Sequence, residues 1–144
     1  MHTWTYPLQD TDAIARQIIE EAGAQRIFLF IGEMGAGKTT LIKSMCRVWG
    51  VEETTSSPTF AIVHTYQGAE HRVFHFDLFR LRDGQELQAI GFEEYLDSGA
   101  PVCIEWPELA MPMLAGMPYV LLELTATDAH TRTLRMTIHT DTTG

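Results

Sequence analysis

The stretch that most constrains this chain is Ile27-Phe28-Leu29-Phe30-Ile31-Gly32-Glu33-Met34-Gly35-Ala36-Gly37-Lys38-Thr39-Thr40. Five consecutive apolar residues read as a strand buried on both faces. They run into a loop whose spacing from Gly32 to Thr39 fits G-x-x-x-x-G-K-[ST]. Such a loop wraps a polyphosphate in successive backbone N–H groups, so side chains must be absent where the backbone turns tightly or approaches oxygen. Gly32, Glu33, Gly35, Ala36 and Gly37 would supply that backbone. Lys38 would reach the β- and γ-phosphates, Thr39 would ligate Mg²⁺, and Thr40 would continue a helix whose positive end faces the same anion. Average glycine usage is about 7 %, so a chance match occurs in roughly one chain of this length in a few hundred. The pattern therefore predicts a nucleotide site.

One domain is expected from 144 residues. The formal charge of −9, from 10 basic and 19 acidic residues, argues against a broad surface for gripping nucleic acid directly. Cys46 and Cys103 stand far apart without a C-x-x-C pairing and read as reduced core thiols. The apolar runs are too short to span a bilayer, and the absence of a signal peptide makes the cytoplasm the expected location.

The remaining pattern predicts an α/β fold, a single P-loop NTPase-like domain with a central, mostly parallel sheet plus antiparallel hairpin strands. Trp4-Thr5-Tyr6 reads as an edge strand. Asp10-Thr11-Asp12 is expected to cap a helix over Ala13 to Ala22, with Ile14, Ile18, Ile19 and Ala22 on its inner face and Gly23 ending it. A second helix should run from Thr40 to Trp49, with Leu41, Met45 and Val48 inward and Gly50 as its stop. Val51 to Ser57 reads as a polar loop. Phe60 to Tyr66 and Arg72 to Leu78 read as a hairpin. Short helices are expected from Asp83 and from Gly91, then a buried strand, Pro101 to Glu105. Pro107 to Pro118 reads as a connector. Tyr119 to Thr125 and Arg132 to Ile138 should be closing strands, with 139–144 a frayed tail.

A hydrolytic nucleotide site also needs carboxylates for its metal and its attacking water. Asp77 and Glu105 each end an apolar strand pattern, where acids in an open α/β sheet point at the ligand. Spacing alone does not say which holds Mg²⁺ and which aligns water. Thr59, in Ser57-Pro58-Thr59-Phe60, is a candidate for a switch that closes over the γ-phosphate. Trp106 fits core packing or a wall of the site equally well. Arg80 and Arg82 read first as surface charges and second as internal arginine fingers.

The Gly32–Thr40 stretch, Ser57-Pro58-Thr59-Phe60, His75-Phe76-Asp77-Leu78-Phe79-Arg80-Leu81 and Ile104-Glu105-Trp106-Pro107-Glu108 occur in this order and spacing in the TsaE (YjeE) family, which the chain resembles from about Thr11 to Ile138. The resemblance implies a Mg²⁺-dependent ATPase of tRNA threonylcarbamoyladenosine biosynthesis. It would act with TsaB and TsaD and meet tRNA only through that assembly. It further implies that Thr39 and Glu105 hold Mg²⁺, that Thr59 is switch-like, and that Asp77 takes a Walker B or water-positioning role. Thr11 and Arg132 align with positions near the base and ribose. Two departures stand out: Glu33-Met34 where Asp-Leu is usual, and Phe79 where Tyr is usual.

Other classes remain to be weighed. A GTPase of the N-K-x-D type is excluded by a chain without asparagine. A small P-loop kinase would need an acceptor pocket and usually an arginine-rich lid, and residues 107–118 contain no arginine. A non-hydrolysing nucleotide switch would keep the loop but not both carboxylates.

Overall fold

The computed structural model describes residues 1–51 and 62–140, with the backbone of 53 and 54. Its elements in chain order are β1 (His2–Pro7), α1 (Thr11–Ala22), β2 (Ile27–Ile31), α2 (Lys38–Trp49), β3 (Glu53–Thr54), β4 (Val63–Gln67) and β5 (Arg72–Asp77). They continue with α3 (Gly84–Ala89), α4 (Phe92–Leu96), β6 (Val102–Glu105), a 3-10 segment (Pro107–Leu114), β7 (Tyr119–Ala126) and β8 (Thr131–His139). Among the described residues the strands form one eight-stranded sheet in the order β1-β8-β7-β2-β6-β5-β4-β3. Its centre, β7-β2-β6-β5, is parallel, and the strands outside it pair antiparallel.

The apolar run of β2 is explained by its place in that centre. Side chains alternate across a strand, so Phe28 and Phe30 enter a core with α1 and α2 while Ile27 and Leu29 enter a second core beneath α3, α4 and the 3-10 segment. Ile14, Ile18 and Ala22 of α1 and Leu41 and Met45 of α2 are buried in the first core, and Ile19 and Val48 pack at its edge. Glycines end both helices as expected, Gly23 at φ 59° and Gly50 at φ 82°. Asp83 caps α3 by accepting from the N–H groups of Gln85 and Glu86.

Four local expectations are corrected. Asp10 makes no side-chain cap bond; instead the Thr11 hydroxyl donates to the Leu8 carbonyl at 2.6 Å, and α1 starts at Thr11. The polar stretch after Val51 contains β3, whose backbone pairs with Tyr66 and Gln67, because an open sheet edge recruits chain that apolar patterning does not mark. The Pro107–Pro118 connector is largely helical; Pro107 is buried, and Ala110 and Leu114 are buried in the second core. His139 is still paired with Tyr119, so β8 reaches into the expected tail. Ser57, Pro58, Thr59 and Phe60 lie outside the described residues, as do 141–144. Among the described residues no helix is long and apolar enough to cross a membrane.

Candidate functional site

The parallel register builds the site. It sets Phe30 beside Glu105 and Glu105 beside Asp77, so both acids end strands on the side where β2 enters the Gly32–Thr39 loop. Register partners in a sheet share a face. Asp77 and Glu105 therefore lie on the α2 side, the face of Val73 and Cys103. A cavity of about 370 Å³ opens there, lined by Leu8, Met34, Gly35, Gly37, Lys38, Thr39, Thr40, Asp77, Glu105, Trp106 and Arg132.

The loop has the backbone that its glycines allow. A Cβ on Gly32 would lie 2.6 Å from the Leu124 carbonyl oxygen, a contact no side chain makes. Gly37 sits at φ 99° immediately before α2, in the left-handed region that favours glycine. Lys38 opens the helix and is buried; its Nζ donates to the Gly32 carbonyl at 2.6 Å and lies 3.6 Å from the centroid of the Trp106 ring. Burial lowers the pKa of this ammonium, opposed by the negative charges of Glu105, Asp77 and Glu108. Trp106 forms a wall of the cavity and is the one described non-glycine residue with positive φ, at 57°. A left-handed tryptophan costs roughly 1–3 kcal/mol, a strain that concentrates at functional sites.

Glu105 is the centre of a buried polar chain. The Thr39 hydroxyl donates toward its two oxygens at 3.3 and 3.2 Å. His75 Nε2 lies 2.6 Å from Oε2, and Tyr66 Oη lies 3.3 Å from His75 Nδ1. Burial pushes the Glu105 pKa up, but the His75 hydrogen bond and charge, with Lys38 and Thr39, bring it net below the usual value, so the carboxylate stays ionised. Asp77 accepts from the Phe79 N–H at 3.1 Å, an ordinary turn contact, and lines the cavity.

Arg132 braces the loop from β8. Its Nε donates to the Ala36 carbonyl at 2.8 Å and an Nη to Gly35 at 3.4 Å, while the other Nη holds Asp128 and Thr131 carbonyls at 2.9 and 3.0 Å. Thr11 is buried, its hydroxyl taken by Leu8, and it does not line the cavity, although Leu8 does. Glu33 is exposed and faces a neighbouring groove beside Thr125 and Ala126. Arg80 and Arg82 are exposed and outside the cavity. The sequence pattern assigns His75 no role; its one signal is placement two residues before Asp77, on the same strand face.

The residues present fit a magnesium nucleotide. Mg²⁺ keeps several waters and takes one or two protein oxygens beside those of a phosphate, and Thr39 with Glu105 offers oxygen donors of that kind. Among the described residues no group of three or more His, Cys, Asp and Glu side chains is arranged to hold a metal unaided. The glycine backbone leaves room where phosphate oxygens would have to approach.

A parallel-centred sheet, with a glycine-rich loop leading from a central strand into a helix and acids at the neighbouring strand ends, defines the class: an α/β domain built like the P-loop NTPases. The family model for "Threonylcarbamoyl adenosine biosynthesis protein TsaE" matches residues 6–134, and the chain belongs to that family, which takes part in tRNA threonylcarbamoyladenosine biosynthesis. Relatives described as tRNA threonylcarbamoyladenosine biosynthesis protein TsaE include one from Rickettsia conorii, 32% identical over 92% of this chain and 74% of its own length. Another, from Haemophilus influenzae, is 39% identical over 58% of this chain and 52% of its own length. The crystal structure of Bacillus subtilis YdiB shares the fold, with a TM-score of 0.72 and 21% identity, covering 96% of this chain and 84% of that one.

Proposed function

We propose that the chain binds and hydrolyses ATP with Mg²⁺ in the cytoplasm, and that it thereby supports a TsaB–TsaD assembly in forming threonylcarbamoyladenosine at position 37 of tRNA. The observation that carries this reading is the convergence of Lys38, Thr39, Glu105 and Asp77 on one cavity beside the glycine loop. Gly32, Gly35 and Gly37 keep the loop backbone bare, so that N–H groups rather than side chains meet the β- and γ-phosphates. Lys38 already reaches across the loop to the Gly32 carbonyl and would turn the same ammonium to phosphate oxygen. Thr39 and Glu105 would hold the metal. Mg²⁺ would supply neutralisation of phosphate charge there.

Asp77 takes the water-orienting role, because Glu105 is the acid in contact with the Thr39 hydroxyl while the carboxylate of Asp77 stands one strand further out. Thr59 is the switch candidate from the family resemblance alone. Arg132 acts on the loop's shape through the Gly35 and Ala36 carbonyls, and Thr11 acts through the turn that carries Leu8 toward the cavity. The chain's charge of −9 fits a protein that leaves tRNA to its partners.

The test is phosphate release from ATP and from GTP, with and without TsaB–TsaD, alongside formation of the modified tRNA. Slow release from ATP that the partners accelerate supports the reading. Phosphate passed to a small acceptor points to a kinase, and tight binding without release points to a switch.

A further inference from the structure

The polar chain behind Glu105 reaches further than metal binding requires. His75 and Glu105 are each under 5% exposed, and Tyr66 is 6% exposed. Their contacts cross from β4 through β5 to β6 and end on Thr39 of α2. Among the described residues no buried side-chain nitrogen or oxygen is left without a partner. A carboxylate only accepts hydrogen bonds, so His75 Nε2 must carry the hydrogen directed at Oε2. Nδ1 shares a 3.3 Å hydrogen bond with the Tyr66 hydroxyl, which fixes the ring's orientation. Oε2 is thereby engaged at 2.6 Å, while the Thr39 hydroxyl lies 3.2 Å from Oε2 and 3.3 Å from Oε1, so Oε1 carries the lighter hydrogen-bond load.

We propose that His75 is a positioning residue for the metal site: held by Tyr66, it engages one oxygen of Glu105 and so fixes the carboxylate beside the Thr39 hydroxyl. The proposal rests on the ATP–Mg²⁺ reading above. A buried carboxylate with two free oxygens would swing between rotamers, and each metal-binding event would have to order it. The His75 contact does that ordering in advance, and Tyr66 does the same for His75. Partners of this outer kind are typically worth about 10–100-fold in metal affinity.

The decisive experiment titrates a non-hydrolysable ATP analogue at a series of Mg²⁺ concentrations. Wild type is compared with His75→Asn, whose shorter amide cannot reach Glu105, and His75→Gln, whose amide nitrogen stands near Nε2. His75→Asn is expected to raise the Mg²⁺ needed for half-maximal tightening by about tenfold while leaving metal-free analogue affinity unchanged, and His75→Gln to restore most of the loss. Tyr66→Phe keeps the ring and should give a smaller rise of about threefold, and it serves if His75→Asn does not fold. An unchanged Mg²⁺ requirement in these variants, or a fall in thermal midpoint with no change in that requirement, overturns the proposal. Failure of the ATP reading has a different signature: wild-type protein that binds no analogue, or binds it equally with and without Mg²⁺.

Discussion

Two cavities open at opposite ends of the parallel strands, and they differ in what lines them. The larger, about 610 Å³, lies at the strand starts between Arg26, Trp49, Glu70, Arg72 and Pro101. The smaller, about 370 Å³, lies at the strand ends beside the glycine loop. The arginines of the larger cavity are exposed, and one guanidinium nitrogen of Arg26 is spent on the Gly23 and Gln25 carbonyls. In the smaller one, Lys38, Glu105 and Arg132 are all buried and all partnered. Volume therefore does not single out the proposed site. Charges held out of water by specific partners do, because that burial costs stability and persists only where something else offsets it.

That contrast is best broken by substitutions that separate stability from binding. Phe28 packs edge-on to Trp49, their ring centroids 5.4 Å apart, in the core between the two cavities. Phe28→Ala should lower stability by about 3–5 kcal/mol, read as a fall in urea midpoint; a midpoint near wild type would mean that this core carries less than its burial implies. Lys38→Ala should weaken ATP-analogue binding by about 100-fold, ~2.8 kcal/mol, with the midpoint unchanged or raised, since it removes a buried charge. Asp77→Asn should slow single-turnover hydrolysis by about 100-fold and leave analogue binding near wild type; loss of Mg²⁺ dependence instead would exchange its role with that of Glu105.

The thiols sharpen the comparison between core and surface. Burial pushes the Cys46 thiol up to about 12 and raises Cys103 well above its ordinary range. The folded state thus favours the protonated thiols. For Cys46 the contribution to stability is complete below the unfolded pKa of about 9 and is lost as pH rises from there toward about 12, and Cys103 acts in the same direction. A thiol-specific reagent at pH 8 should therefore modify neither cysteine until urea unfolds the chain, and prompt native-state reaction would contradict the burial. The smallest effect is expected at the larger cavity: Arg72→Ala should shift ATP-analogue affinity by less than about twofold, as for an exposed residue remote from the site.

Much of the site was legible because its parts are adjacent in sequence. The run from Ile27 to Thr40 contains strand, loop and helix start together, and short-range spacing carries their meaning. Asp77 and Glu105 were legible as strand-end acids. What stayed hidden depended on register. Local spacing puts His75 on the face of Asp77, opposite Phe74 and Phe76 of the other core, but gives it no partner. Its partner Glu105 is thirty residues away and adjacent only because β5 and β6 pair. β3 was missed for the same reason, since two polar residues become a strand only when an edge is there to receive them.

The sequence by itself determined that a bare-backbone turn would follow a doubly buried strand, because only glycine tolerates Gly37's positive φ and Gly32's approach to the Leu124 carbonyl. It also determined which residue types were available to meet an anion and a metal. Tertiary structure alone decided that Glu105, not Asp77, stands against Thr39, that Trp106 takes the lysine, and that Arg132 grips the loop from 96 residues away. The physical reason is that such pairings are fixed by strand order and register, which the whole core sets together, whereas a turn's dihedral demands are met residue by residue.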